Sequence, residues 1–151
     1  MAFWLMKSEP SEFSIEDLAA CKQEPWTGVR NYQARNYMRD QMHVGDGVLF
    51  YHSNCDQPGI VGLARVASAS YPDPSQFDPD SEYFDPKANL DAPRWHLVDI
   101  AWERTFTRTL GLPQLRNMAA ELGDFPLLAR GNRLSVMPVS AAQWHVLTTL
   151  A

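Results

Sequence analysis

The sequence lacks long hydrophobic runs. Nowhere does it approach the roughly 20 consecutive apolar residues of a membrane-spanning helix, so no membrane partner is expected. The opening segment, Met1-Ala2-Phe3-Trp4-Leu5-Met6-Lys7, has no basic leader ahead of an apolar stretch and is not read as a signal peptide. Cysteine is scarce too. Cys21 and Cys55 alone are too few for a disulfide scaffold and read as free thiols of a reducing compartment, which sets the expected location as cytoplasmic. Charge is sparse, at 21% of residues, and the formal net charge is −5. That balance argues against long phosphate backbones as the main ligand, because proteins that grip them are usually basic.

Enzyme signatures are missing as well. There is no G-x-S-x-G turn, no P-loop and no glycine-rich dinucleotide fingerprint. His52 and Ser53 are neighbours on a predicted strand, so they point to opposite faces and cannot pair. A Cys55–His52 pair would need an activated thiol and a third, orienting group. The two cysteines and four histidines show no metal-ligand spacing. No metal and no cofactor are expected.

What is present is aromatic. Aromatic residues make up 11% of the 151, and five are tryptophans. Five indoles cannot all be centred in one small core, so some must line a surface or a pocket. The length fits a single domain, residues 1–151. Charge is unevenly spread. Between Asp73 and Asp91 six acids face one base, Lys87, in a proline-rich stretch. From Trp26 to Arg39 there are three arginines (Arg30, Arg35, Arg39) and no acid. The expected molecule is dipolar, with a small basic face able to meet a few phosphates.

Phe3 to Met6 reads as an opening strand. Ser14-Ile15-Glu16-Asp17 reads as a capped start of a helix reaching about Lys22. A second helix is expected over Asn31 to Met42, with Asn31 as cap and Ala34, Tyr37, Met38 and Met42 on one face. Strands follow at Val48–His52 and Ile60–Ser68, where Gly62 signals a bulge or a close backbone approach. Tyr71 to Pro93 has no period, but Phe77, Tyr83 and Phe84 imply that it packs down. A strong strand is expected over Trp95–Phe106, a third helix from Leu112-Pro113, a strand over Arg133–Val139 and a closing helix over Ser140–Leu150. Trp4, Trp102 and Trp144 fall within periodic elements and read as core. The order suggests an α+β fold, with short strands suited to a compact curved barrel.

Three segments gather polar and aromatic groups at strand ends, where sites sit on rigid scaffolds. They are Lys7-Ser8-Glu9-Pro10, Trp26 to Tyr32, and Phe50-Tyr51-His52-Ser53. A flat base needs an aromatic platform, edge readers that donate and accept, and a cation for its phosphate. Trp26, Asn31 and Ser8, and Arg30 or Lys7, could supply these. Each also has a plain structural alternative: Trp26 and Trp95 as core, Asn31 as a helix cap, Lys7 as a solvated cation, His52 as a hydrogen-bonded strand residue.

The motifs Trp4-Leu5-Met6-Lys7-Ser8-Glu9-Pro10 and Trp26-Thr27-Gly28-Val29-Arg30-Asn31-Tyr32-Gln33-Ala34-Arg35 closely resemble the EVE domain family. Phe50-Tyr51-His52-Ser53-Asn54, Ile60-Val61-Gly62-Leu63-Ala64, Pro93-Arg94-Trp95 and Arg133 to Val139 continue the resemblance in order along nearly the whole chain. It implies a PUA-like fold, a small bent β-barrel decorated with several short helices, and kinship with YTH domains. It implies a non-enzymatic reader of a modified base, most often modified cytosine in DNA, with RNA also open, and nucleic acid, flipped or single-stranded, as partner. Carried over, Lys7 and Ser8 would border the pocket and Trp26 would be its aromatic wall. Arg30 and Asn31 would read the base edge or hold phosphate, His52 and Ser53 would close the other side, and Trp95 is a weaker second wall. Two rivals stay open: an enzyme on a modified nucleotide using His52 as acid or base, and a protein-interaction module using the acidic loop.

Overall fold

The computed structural model describes every residue from Met1 to Ala151. Its centre is a curled six-stranded sheet. The strands are β1 (Phe3–Ser8), β2 (Gln23–Pro25), β3 (Gly47–His52), β4 (Gly59–Val66), β7 (Asp99–Gly111) and β8 (Val136–Val139), in the order β2-β7-β4-β3-β1-β8. Only β1 and β3 run parallel, pairing Phe3 with Gly47 through Ser8 with His52. Both strands therefore end at the same edge of the sheet. β5 (Tyr71–Pro72) and β6 (His96–Leu97) form a separate ribbon that ties down the two ends of the acidic segment. The result is an α+β half-barrel with short helices, as the resemblance implied.

The sheet is covered on both faces, which explains why β1 and β3 read as continuous apolar runs rather than alternating ones. Trp4, Met6, Val48 and Phe50 enter one core with Ile15, Leu18, Trp26, Ala34 and Met38. Leu5, Leu49 and Tyr51 enter a second core with Leu115, Leu122, Phe125 and Leu147. Alternation along the strand sends Ser8 toward the first core and Lys7 toward the second.

Local signals place the helices. α1 (Ile15–Cys21) starts in a capping box: Ser14 Oγ accepts from the Asp17 N–H, and Asp17 accepts from the Ser14 N–H. α2 (Tyr32–Asn36) is capped by Asn31, whose side chain accepts from the Ala34 N–H at 3.0 Å. The expected twelve-residue helix is not continuous, because Tyr37–Gln41 continues as a π-helical turn. Leu112–Asn117 forms α3, Ala119–Leu122 a one-turn α4 that the sequence reading missed, and Ala141–Leu150 forms α5, capped by Ser140 with Gln143.

Gly62 meets both expectations. Pairing of β4 with β7 slips between Ile60 and Gly62, bending the sheet, and a β-carbon at Gly62 would lie 2.5 Å from the Arg104 carbonyl oxygen. The expected strand from Trp95 is interrupted: β6 and β7 flank Val98, and β7 runs on to Gly111. β8 is shorter than expected and starts at Val136.

Candidate functional site

A cleft opens where β1 and β3 end. It has two adjoining lobes of about 360 and 400 Å³ that share Ser8, Glu12, Trp26, Thr27 and Tyr83. Trp26 follows the short β2 and is held by its own N–H, which donates to the Val98 carbonyl at 3.1 Å. Its ring meets Phe50 and Phe13 edge-on, at centroid distances of 5.5 and 6.5 Å. The residue is only 8% exposed. Trp4, Trp95 and Trp102 each give their indole N–H to a side-chain oxygen of the protein, whereas Trp26 does not. Nor is its nitrogen sealed from solvent, since the one buried side-chain polar atom without a partner is His96 Nδ1. Trp26 thus brings an unused donor and the edge of an aromatic surface to the cleft.

The two lobes differ in charge. The first is lined by Glu12, Glu24 and Glu82 with no cation, and the second sets Lys7 and Arg133 beside Glu9 and Glu12. Burial lowers the pKa of Lys7, whose ammonium lies 5.8 Å from the Tyr51 ring centre rather than beside a carboxylate. Ser8 Oγ donates to the Phe13 carbonyl at 2.6 Å, and its backbone oxygen accepts from the Ser53 N–H. Its hydroxyl keeps acceptor capacity.

The acidic segment forms the cleft's third side and is firmly anchored. Asp73, 1% exposed, accepts from the Gly28 N–H at 2.9 Å, from Arg30 at 3.1 Å, and from the backbone and hydroxyl of Ser75. Burial works against its carboxylate, but the hydrogen bonds from Ser75, Gly28 and Arg30 outweigh it and hold the pKa below the ordinary value. Arg30 donates twice to the Tyr83 carbonyl and sits over the Tyr83 ring. Gln76, fully buried, accepts from the N–H groups of Arg94 and Trp95. The segment therefore packs as the sequence expected, with Tyr83 turned onto the cleft.

Of the eight residues singled out from sequence, four line this cleft: Lys7, Ser8, Trp26 and Ser53. Arg30, Asn31, His52 and Trp95 are not among its lining residues. Arg30 is spent on Asp73 and Tyr83, because a guanidinium's planar fork satisfies a buried carboxylate and two carbonyl bonds at once. Asn31 caps α2. His52 accepts from the Ile15 N–H through Nε2 at 3.1 Å, and burial lowers its pKa. Trp95 stacks on Tyr32 at 4.8 Å and donates to Asp85 at 2.8 Å. The arginine run offers no free phosphate face either. Arg35 donates to the Arg94 carbonyl and Asn36, and Arg39 pairs with Asp40.

Sequence reasoning missed Glu12, Phe13, Thr27, Tyr83 and Arg133 as cleft residues. Only Tyr83 carried a signal, as an aromatic in an otherwise acidic, proline-rich tract.

Residues 2–150 match the family model described as EVE domain. A crystal structure of a protein from Pseudomonas putida superposes with a TM-score of 0.95 at 54% identity, covering 99% of each chain. The human THYN1 protein, solved in complex with 5-methylcytosine-containing DNA, superposes at 0.93 with 37% identity, covering 99% of this chain and 97% of that one. The Mmi1 YTH domain, solved with RNA, superposes at 0.54 with 11% identity over 99% of this chain and 76% of that one, a likeness of fold alone.

Proposed function

Because this chain belongs to the EVE domain family, we propose that it is a non-enzymatic reader that holds a modified base of nucleic acid, first of all a modified cytosine in DNA, in the Trp26 cleft. One observation carries the reading: a nearly buried tryptophan presents an unpaired indole N–H to a cleft whose first lobe is lined by acceptors. Carboxylates suit the exocyclic amino group of cytosine, which is a donor. Lys7 and Arg133 line the adjoining lobe, where the phosphate of the same nucleotide would lie. The human relative's complex with 5-methylcytosine-containing DNA supports the same ligand class.

A base inside a duplex cannot reach a concave site of this kind, so the ligand is flipped out or single-stranded. The cost of unstacking is offset by the aromatic contact and by the edge hydrogen bonds. A methyl group placed against the apolar surface adds about 1 kcal/mol, roughly fivefold in affinity. His52 does not border the cleft, and its Nε2 is committed to the Ile15 N–H, which speaks against an acid or base role.

The test is tryptophan fluorescence titration with single-stranded oligonucleotides carrying cytosine, 5-methylcytosine or thymine at one position, at fixed salt. Saturable binding that prefers the methylated cytosine, and loss of that binding in Trp26→Ala, are expected. Trp26 also packs in the core, so a double variant of exposed side chains, Glu12→Gln with Glu82→Gln, guards against misfolding and should lose the preference for cytosine over thymine. Unchanged affinities in both variants would sink the proposal.

A further inference from the structure

A second concavity adjoins the base cleft on the other side of Lys7. It holds about 360 Å³ and lies between the ends of β1 and β3, the start of α3 and the loop around Arg130. Tyr51 and Leu112 contribute to its walls, and Lys7, Arg116 and Arg130 border it. No aspartate or glutamate lines it. The molecule's three ion pairs, Arg30–Asp73, Arg39–Asp40 and Arg94–Asp85, leave all three of these cations without a carboxylate. In a chain of net charge −5, a concave surface with cations and no acid is unusual.

Tyr51 supplies an independent observation. The residue is only 3% exposed, yet its hydroxyl makes no hydrogen bond inside the protein. It is also not a sealed, unpaired atom, since only His96 Nδ1 is. The hydroxyl therefore opens on the groove. A buried phenol with an unused donor, next to three unpaired cations, is a constellation that an anionic oxygen completes.

We propose that this groove is a second binding site, for the phosphodiester backbone of the strand whose base occupies the Trp26 cleft, with Arg116 and Arg130 on successive phosphates and Tyr51 Oη donating to a phosphate oxygen. The proposal rests on the reading of the cleft as a base site, and Lys7, which lines both cavities, is the bridge between them. Lys7 has no carboxylate partner and burial lowers its pKa, so a phosphate there would favour the charged ammonium. The arrangement reconciles an acidic protein with a polyanionic ligand: the strand follows one local basic path while the acidic segment stays on the far side of the cleft.

The experiment compares the wild-type chain with Arg116→Gln/Arg130→Gln, two exposed side chains, and with Tyr51→Phe, which removes only the hydroxyl. The probes are the free nucleoside 5-methyl-2′-deoxycytidine, a short single-stranded oligodeoxynucleotide containing one 5-methylcytosine, and vesicles containing phosphatidylglycerol. The double variant should bind the oligonucleotide about tenfold or more weakly at 0.1 M salt, with a log–log salt slope shallower by about 1.4 for two single-strand phosphates. Tyr51→Phe should weaken it severalfold. Nucleoside affinity should stay unchanged in both. Equal oligonucleotide affinity and salt slope in wild type and double variant would overturn the groove. So would arginine-dependent binding to the vesicles with no binding to the oligonucleotide. If the oligonucleotide still depends on the arginines while neither nucleoside nor methylation matters, the groove stands and the base-reading proposal falls. If the wild-type chain binds no oligonucleotide at all, both fall.

Discussion

The Tyr83 ring lies directly on the backbone of Gly28: a β-carbon on Gly28 would sit 2.6 Å from Tyr83 Cζ, with three ring atoms at 3.0 Å or less. Gly28 also has φ +86°, a conformation that L side chains rarely adopt. The two facts make this glycine the seat of the acidic segment. Gly28→Ala should cost about 2 kcal/mol from the strained φ and the displaced ring together. It should also speed proteolysis within residues 78–91, read by limited digestion. An unchanged cleavage rate would mean that Tyr83 does not hold the segment down.

Asp73 is the second anchor. Asp73→Ala leaves Arg30, the Gly28 N–H and the Ser75 N–H without their acceptor in a nearly sealed place. A loss of about 3 kcal/mol is expected in denaturant unfolding, the magnitude typical of breaking a buried pair by removing one partner. The sign of its pH dependence follows from its lowered pKa. The stabilisation is present above the unfolded carboxylate value of about 3.9 and is lost as pH falls through the lower folded value. Asp46, buried and accepting from Trp4 Nε1 and the N–H groups of Ala2 and His43, acts in the same sense, because its hydrogen bonds outweigh its burial. Asp73→Asn should therefore reduce the steepness of acid unfolding without abolishing it.

His52 titrates in a higher window. Burial lowers its pKa, Glu16 opposes that weakly, and Nε2 must stay unprotonated to accept from the Ile15 N–H. The unfolded chain therefore binds the proton more readily, and stability falls as pH drops through about 6.5 toward the folded value. His96, lowered by burial and by Arg39 and Arg35, contributes with the same sign. Thermal unfolding measured from pH 7.5 to 5.5 should show a declining midpoint. His52→Gln, which keeps an acceptor but cannot gain the charge, should flatten part of that decline, and an unaltered profile would assign it to His96.

Gly62 faces the Arg104 backbone first and the Ile15 side chain just behind it. Gly62→Ala would place a methyl group 2.5 Å from the Arg104 carbonyl and 2.9 Å from Ile15 Cδ1. Neither strand can retreat without breaking the β4–β7 ladder, so a loss of about 2–3 kcal/mol is expected from overpacking. A substitution without measurable effect would show that the sheet yields there.

The sequence alone determined what rests on short range. Ser14, Asn31 and Ser140 announced their helices because a cap is a bond between residues three apart. β1, β3 and β4 were visible as apolar runs, and Gly62 as a close approach. The motif order pointed to the family and hence to a barrel that periodicity does not encode. Which polar groups the fold leaves free depended instead on contacts between distant parts of the chain. Arg30 looked like a phosphate ligand until Asp73, 43 residues away, claimed it. Trp95 looked like a wall until Asp85 and Tyr32 took both its N–H and its face. Glu12, Arg116 and Arg130 carried no local sign of their place. A side chain is available to a ligand only if no distant partner satisfies it first, and that is settled by packing across the whole chain rather than by neighbours in sequence.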